Sequence, residues 1–324
     1  MAVNNLRVIY QNLADLSTTS ITASTTANAT TTPASNLQKD AKSLIWRSTS
    51  TSATLTVAFA SAQKVRGVVL PFTNLTATAT INVTATVSAG SFVVGSSYTI
   101  ASVGTTSFTA IGASANTVGV TFTATGTGSG TGTATYSTGN VLACPYKQVD
   151  SWDSSYLPQG ANSYAYGSGT YARAWLPVTQ TCASLTVTLN DTNNTAGYVE
   201  VSRLIVGDYW TPTYNTSFGL MSAPKSLSST MRTESGDLVT NRGIQYNTMS
   251  FDLTWLTPAD RLVFTKIIKS NGINKPLLIS LFPDASEDFD KEQTFQIYGK
   301  LTQVPDLTHP MFSMYSSKVE IEEI

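Results

Sequence analysis

Alternation of apolar residues with threonine, serine and asparagine is the pattern that most limits the folds open to this chain. Because successive side chains of a strand point to opposite faces of a sheet, a period of two predicts half-buried strands of an antiparallel sandwich. Turn-forming residues at 73–75 and 191–194 interrupt the pattern. The sequence therefore predicts a mainly β fold. The alternating segments of the first part are 55–59, 65–72, 81–84, 185–189 and 199–204.

The distribution of charge divides the chain. No Asp, Glu, Lys or Arg occurs from Gly67 to Tyr146, whereas charged residues are denser toward the C-terminus. Changes of composition of this kind indicate separate structural units. We therefore predict a β-sandwich domain over residues 1–211, interrupted by an inserted glycine- and threonine-rich β-module at 88–139, and a second β-sandwich domain over 212–324.

The inserted module is predicted to be a small hairpin unit on a flexible stem. A run of glycine alternating with threonine and serine, from Gly126 to Gly132, closes it. The run overlaps superficially with a dinucleotide fingerprint, but no helix and no acidic residue follow it at the required spacing. Because the module carries no charge to protect its β-edges, we expect these edges to be covered locally or to pack against a neighbouring subunit.

The C-terminal part is predicted to be a sandwich with one short covering helix. Thr257 is the expected N-cap, Pro258 occupies the first helical position, and Gly272 ends the helix. Asp260 lies three residues after Thr257, a spacing that also favours a helix beginning at this cap. The expected apolar face of the helix consists of Leu262, Val263, Phe264, Ile267 and Ile268. The expected strands are 249–255, 277–282, 295–298 and 319–324.

Residues that carry enzymatic chemistry are scarce. His309 is the single histidine, lies beside a proline and has no nucleophile motif near it, so we expect it in a loop without a catalytic role. No spacing indicates the paired carboxylates that glycoside hydrolysis needs. We therefore expect no enzymatic activity and no cofactor.

Two groups of oxygen-bearing side chains raise the question of a bound metal. An acidic run near the C-terminus lacks the alternating ligands, central glycine and flanking helices of an EF-hand loop, so a solvated loop is the better interpretation. Asp191, Asn193 and Asn194 offer ligands for calcium, and equally good turn chemistry. We predict no metal site and leave calcium at the second group open. The acidic run comprises Asp284, Glu287, Asp288, Asp290 and Glu292.

The overall composition argues against some partners. A net charge of −1, from 19 basic and 20 acidic residues, argues against a polybasic nucleic-acid binder and against an anchor to anionic membranes. We expect neither a signal peptide nor a transmembrane helix, because no apolar run has the required length or flanks. Without an export signal, we expect the protein in a reducing compartment. Cys144 and Cys182 are therefore expected to be buried thiols, with a disulfide between them as the alternative.

Aromatic residues concentrate between Trp152 and Trp175, against a background of threonine and serine. Rings with polar tips on loops can stack on sugars, and the same residues suit contacts between subunits. Packing within the domain is the third alternative, above all for Tyr171 and Trp175. The candidate glycan or subunit contacts are Trp152, Tyr156, Tyr164, Tyr166 and Tyr171.

Motifs of the first part recur in a known family. They are residues 36–37, 45–48, 55–59, 65–70, 74–75, 174–175 and 197–203. On these motifs the first part resembles a discoidin-like, galactose-binding-like jelly roll. The inserted module, through residues 90–95, 98–100, 103–106 and 122–126, is similar to a small repeat in cyanophage and other phage tail-fibre and virion proteins. The resemblance implies a jelly-roll sandwich and, as one alternative for function, binding of a host glycan through its loops.

Motifs of the last third point to a second family. They are Arg232, 236–237, 251–253, 256–260, 276–283, 296–299 and 319–323. On these motifs the last third resembles phage distal tail or baseplate-ring proteins. That resemblance implies a structural virion protein, assembled in the host cytoplasm, which forms a homo-oligomeric ring, most often a hexamer, and links the tail tube to tip or fibre proteins. The order of the two parts is reversed relative to that family, in which the ring-forming part usually comes first.

The glycan-binding alternative predicts a separable defect. If the aromatic segment stacks on sugars, Trp152→Ala or Tyr166→Ala removes the stacking surface, so retention on a host polysaccharide array should be lost while assembly remains intact. Retention that neither substitution changes would count against this segment as a sugar site.

Overall fold

The computed structural model describes residues 5–143, 170–241, 243–283 and 289–324, except for the side chains of residues 289 and 290. The fold is mainly β with sandwich-like sheets, which confirms the predicted fold class. The first strands are β1 (Arg7–Ile9), β2 (Ser20–Ala23), β3 (Trp46–Arg47), β4 (Ser52–Thr73), β5 (Thr80–Ser88), β6 (Ser97–Ser102), β7 (Thr121–Thr123), β8 (Thr133–Ser137), β9 (Val141–Leu142) and β10 (Thr170–Asn190). The later strands are β11 (Glu200–Val201), β12 (Ile205–Gly207), β13 (Met221–Ser226), β14 (Ser229–Arg232), β15 (Leu238–Asn241), β16 (Gln245–Leu256), β17 (Leu277–Ser280), β18 (Gln296–Leu301), β19 (Thr308–Met311) and β20 (Met314–Glu323). The helices are α1 (Pro258–Asn271) and α2 (Phe289–Thr294).

Two long antiparallel strands form the centre of the N-terminal sheet. Strands β4 and β10 pair from Ser52 opposite Asn190 to Thr73 opposite Thr170, and the sheet follows the order β3-β11-β4-β10-β5-β8-β6-β7. Their alternating apolar side chains are buried in one continuous core, as the period of two predicted. The segments predicted at 55–59 and 65–72 form one strand, because β4 continues through the irregular pairing between them.

The inserted module extends this sheet and is not a unit on a flexible stem. Strand β5 pairs with β8, and β8 pairs with β6, so the backbone ladder continues from the main domain into the insertion. Aromatic rings fill the inner face of the module and belong to the same core as the long strands. The module edges are therefore covered in part by the chain itself. The buried rings are Phe92, Tyr98, Phe108, Phe122 and Tyr136.

The glycine run of the module serves close packing and not flexibility. A Cβ on Gly132 would lie 2.5 Å from the carbonyl oxygen of Val103, and one on Gly130 would lie 2.8 Å from the hydroxyl of Thr105. Gly130 also has a φ of +105°, a conformation that side chains with a Cβ rarely adopt. Sequence alone could not distinguish these glycines from a mobile linker, because both uses favour the same residue.

The C-terminal sheet includes a strand from the start of the chain. Its order is β1-β17-β18-β20-β16-β13, with β19 paired to β20, so β1 crosses the boundary predicted at residue 211. Helix α1 covers the outer face of this sheet with Phe264 and Ile267. Thr257 and Asp260 form a reciprocal capping box, which confirms the predicted start. Leu262, predicted on the apolar face, is instead exposed.

The inner face of the C-terminal sheet packs on the N-terminal sheet. Ile9, Leu278 and Tyr298 of the C-terminal sheet contact a cluster that includes Phe72 and Tyr171 of the N-terminal sheet. Phe72 adopts a φ of +56°, which is unusual for an aromatic residue, and its ring centroid lies 5.4 Å from that of Tyr171. The two sheets therefore share a core, and the chain behaves as one body at this junction.

Buried ion pairs cross the same junction. Arg173 of β10 donates from Nε and Nη2 to both carboxylate oxygens of Glu292 in α2, each at 2.8 Å. The Glu292 side chain is fully buried. The acidic run was predicted to be a solvated loop, and for Glu292 that prediction is wrong, because a distant arginine compensates its charge. The other acidic side chains of the run lie outside the described residues.

Substitution within the glycine run tests the packing argument. We expect Gly132→Ala to lower the free energy of unfolding by about 1–3 kcal/mol, because the added methyl group must displace backbone. Gly126→Ala is the matched control, since its Cβ would meet only the Ile111 side chain at 3.4 Å. Urea unfolding of both variants measures the difference, and equal stabilities would contradict close packing at Gly132.

The buried ion pair gives a second stability prediction. Arg173→Met leaves the Glu292 carboxylate without its bidentate partner, so unfolding should become easier by about 3–5 kcal/mol. Lys318→Met provides the control, because Lys318 pairs with Glu320 at 2.7 Å on the surface. This exposed change should cost at most about 0.5 kcal/mol. Similar losses for the two variants in chemical denaturation would show that the buried pair is not a major support.

Candidate functional site

A β-hairpin arm projects from the edge of the C-terminal sheet. Strands β13 and β16 pair as the last two strands of the sheet, and the same hairpin continues outward as β14 and β15. The Leu227 amide donates to the Ile244 carbonyl at 2.9 Å where the two halves join. A Cβ on Gly243 would lie 2.4 Å from the Leu227 carbonyl carbon, so the close approach at this joint requires glycine. We call residues 227–241 the arm.

The tip of the arm is well defined by local hydrogen bonds. The Thr233 amide donates to the Asp237 carbonyl and the Gly236 amide donates to the Thr233 carbonyl, each at 2.9 Å. Arg232 Nη1 donates to the Gly236 carbonyl at 2.8 Å, and Gly236 has a φ of +89°. Turn chemistry therefore fixes the register of β14 against β15.

Large apolar side chains lie on both faces of the arm, where the described part of the chain leaves them exposed. Met231 stands opposite Val239 on one face, and Leu238 stands opposite Arg232 on the other. Met231 is 68% exposed and Leu238 is 60% exposed. A two-stranded hairpin is marginally stable by itself in water, and clustered exposed apolar residues mark interaction sites. The arm thus has the character of a surface that another protein covers.

A second exposed apolar site lies at the hairpin of β19 and β20. Met311 ends β19, Phe312 follows it in the turn, and Phe312 is 95% exposed. His309, expected in a loop, lies in β19 and stacks on Tyr315 with ring centroids 4.6 Å apart. The imidazole therefore has a packing partner on the surface.

Tyr171 is the candidate glycan or subunit contact that lies within the described part of the chain, and it is buried. Tyr171 lies at the junction of the sheets, where its hydroxyl donates to Glu323 Oε1 at 3.3 Å and accepts from the Tyr298 amide at 3.0 Å. Burial, and then the neighbouring Glu323 carboxylate, raise the pKa of Tyr171 well above its usual value. Its ring is enclosed by the chain and unavailable to a sugar. Trp152, Tyr156, Tyr164 and Tyr166 lie outside the described residues.

The remaining predicted groups take structural roles. Asp191 is buried, accepting from the Thr76 amide at 2.8 Å and from its hydroxyl at 2.6 Å, so its carboxylate anchors a turn. Asn194 Nδ2 donates to the Asn74 carbonyl at 3.0 Å. Burial raises the pKa of the free Cys182 thiol to about 12, which keeps it protonated and unreactive. Cys144 lies outside the described residues.

Among the described residues, no group of three or more His, Cys, Asp or Glu side chains is placed to hold a metal ion. Among the helices of the described ranges, none is both long and apolar enough to cross a membrane.

Comparisons with known proteins give matches to solved structures at low similarity. No protein-family model and no curated protein match the chain. A GH29 fucosidase of Ruminococcus gnavus in complex with fucose is similar at 10% identity and a TM-score of 0.30, over 63% of this chain and 28% of that one. The family 32 carbohydrate-binding module of C. perfringens NanJ in complex with galactose is similar at 11% identity and a TM-score of 0.31, over 63% and 99%. The chain spans little more than a quarter of the fucosidase, and neither sugar nor reaction carries over from these proteins.

The sequence analysis did not identify the arm as an exposed apolar surface. Arg232 and the pair Gly236–Asp237 stood out only through family resemblance. The local signal was present, because a turn motif lies between the apolar residues Met231 and Leu238. Nothing local shows that both faces remain uncovered, since that depends on the rest of the fold.

Proposed function

We propose that this chain is a structural subunit of a phage tail tip or baseplate, which assembles into a homo-oligomeric ring and links the tail tube to tip or fibre proteins. The observation that carries the proposal is the arm, with its apolar side chains on both faces. The resemblance of the last third to distal tail proteins supplies the assembly and the location. The ring is most often a hexamer in that family.

The exposed apolar side chains of the arm support the proposed assembly. Fully burying one Leu or Met side chain stabilises by roughly 1.5–3 kcal/mol, so Leu227, Met231 and Leu238 together provide several kcal/mol per contact. An arm that docks on a different surface of the next copy makes a heterologous contact, and such contacts close into rings when the rotation per subunit permits. One repeated arm-to-body contact is therefore sufficient to build a ring when that rotation closes.

The junction of the two sheets suits a subunit that transmits force. Buried ion pairs and a shared apolar core join the sheets, including the pair between Lys42 and Glu323 at 2.8 Å. Removing one partner of a buried pair is costly, so such a junction resists small rearrangements. The body that carries the arm is therefore rigid, as a ring connecting two parts of a particle requires.

Solution mass tests the assembly. The full-length chain should show a constant ring mass by light scattering across a concentration series. The double variant Met231→Ser, Leu238→Ser should weaken association by tenfold or more, because it removes apolar area from both faces of the arm. The matched control is Val94→Ser, Val118→Ser, which changes two valines of the inserted module that are 62% and 60% exposed. A monomer at all concentrations, or equal association of both double variants, would contradict the proposal.

Particle assembly tests the location. When the arm variant replaces the wild-type chain in infected cells, electron microscopy should show particles without a complete tail tip. Normal tails that contain the arm variant would overturn the proposed role even if the purified chain forms rings.

A further inference from the structure

Two exposed apolar surfaces lie at opposite ends of the same pair of strands. Strands β16 and β20 are antiparallel, with Thr248 opposite Glu322 toward one end and Leu256 opposite Tyr315 at the other. The arm joins β16 before Gln245, whereas the hairpin of β19 and β20 turns beyond the Leu256 end. Because β16 has 12 residues at about 3.3 Å each, its ends lie roughly 35–40 Å apart. The arm of one copy is therefore placed to reach another copy and not its own β19–β20 turn.

The turn between β19 and β20 presents large apolar side chains. Met311 pairs with Met314, so Phe312 and Ser313 form a tight turn, and Ser313 has a φ of +58°. Helix α1 begins just after β16, so its first turns lie at the same end of the sheet. Leu262 in that part of the helix is 64% exposed. We define the hairpin end as Arg261, Leu262, His309, Met311, Phe312 and Tyr315.

The hairpin end carries a cation that the described part of the chain does not neutralise. Arg261 Nη1 donates to the Tyr315 hydroxyl at 3.0 Å, and the guanidinium carbon lies 4.7 Å from the Tyr315 ring centroid. His309 stacks on the same ring. None of the ion pairs among the described residues includes Arg261. Aromatic residues, methionine and arginine are the types enriched at protein interfaces, so the composition of this surface favours contact with a protein.

The turn of the arm carries the opposite charge. Glu234 and Asp237 are exposed there, and neither pairs with a cation in the described ranges. Arg232 is the basic residue of the arm, and its Nη1 donates to the Gly236 carbonyl at 2.8 Å. Contact between the arms of two copies would bring like charges together, which is unfavourable. The charges instead favour contact between the arm and the hairpin end.

We propose that the arm of one copy docks on the hairpin end of the next copy. The inference rests on the ring assembly proposed above and names its acceptor surface. In this contact the apolar faces of the arm cover Phe312 and Leu262, and Glu234 and Asp237 approach Arg261. Donor and acceptor are different surfaces at opposite ends of one sheet, so the contact is heterologous and repeats from copy to copy.

Complementation between two defective chains tests this pairing. The arm variant is Met231→Ser, Leu238→Ser, and the acceptor variant is Leu262→Ser, Phe312→Ser. Each should associate with itself more weakly by about tenfold or more, because one side of the apolar contact is lost. Mixed at a concentration where each alone is monomeric, the two should form a one-to-one dimer by light scattering. The intact arm of the acceptor variant then meets the intact hairpin end of the arm variant.

Matched controls accompany the complementation. The double variant Val94→Ser, Val118→Ser should form the same species as the wild type, since both valines lie in the inserted module. Thermal melting close to the wild type shows that each variant is folded. If the double acceptor variant melts early, Phe312→Ser alone takes its place, because Phe312 is the most exposed side chain of the hairpin end.

Charge reversal tests the electrostatic part of the contact. Within the one-to-one dimer, Glu234→Arg on the intact arm or Arg261→Glu on the intact hairpin end should each raise the Kd about tenfold. The two reversals together should return the Kd to within about threefold of its starting value, because the attraction is restored. Lys300→Glu is the control for Arg261→Glu, since Lys300 is exposed outside the hairpin end, and it should leave the Kd unchanged. Isothermal titration calorimetry measures each Kd.

The outcomes distinguish failure of this inference from failure of the proposed assembly. Wild-type rings together with an acceptor variant that still forms rings would overturn the hairpin end as the acceptor and leave ring assembly standing. Wild-type rings with defective variants that never complement each other would do the same. A wild-type chain that stays monomeric at all concentrations would overturn both. Complementation without recovery by the paired reversals would overturn the contact between Glu234 and Arg261.

Discussion

The guanidinium group of Arg203 is the interaction on which the relation between the two sheets depends. It is buried, and it reaches Asp15 Oδ2 at 2.5 Å, Asp40 Oδ1 at 2.8 Å and the Tyr298 hydroxyl at 3.1 Å. Asp15 ends a short 3₁₀ helix and Asp40 lies in a loop, both in the N-terminal part, whereas Tyr298 belongs to the C-terminal strand β18. A buried charge without partners is far more costly than a surface one, so Arg203 keeps Asp15 and Asp40 beside it, and its bond to Tyr298 holds the C-terminal sheet against this paired group.

Local signals in the sequence predicted the secondary-structure elements well. Features that depend on contacts between distant residues could not be predicted from it. Helix α1 was found because its cap, first residue and terminator are adjacent in sequence, and the strands because of their period. The burial of Glu292 depends on Arg173, more than a hundred positions earlier. Gly130 and Gly132 are needed because Thr105 and Val103, on another segment of the module, pack closely against them. The candidate surfaces escaped prediction for the same reason, since exposure is a property of the assembled fold.

The position of β1 has a consequence for the order in which the molecule forms. During synthesis β1 emerges before the other strands of its sheet, yet its Val8 pairs with Ile279, which emerges only after all strands of the N-terminal sheet. Pairings between distant segments are slow because the loop between them must close before the contact forms. Until then the edge of β1 and the apolar side chain of Val8 lack their final cover. The C-terminal sheet therefore lacks β1 at its edge until β17 has been made, which delays completion of that edge to a late stage of folding.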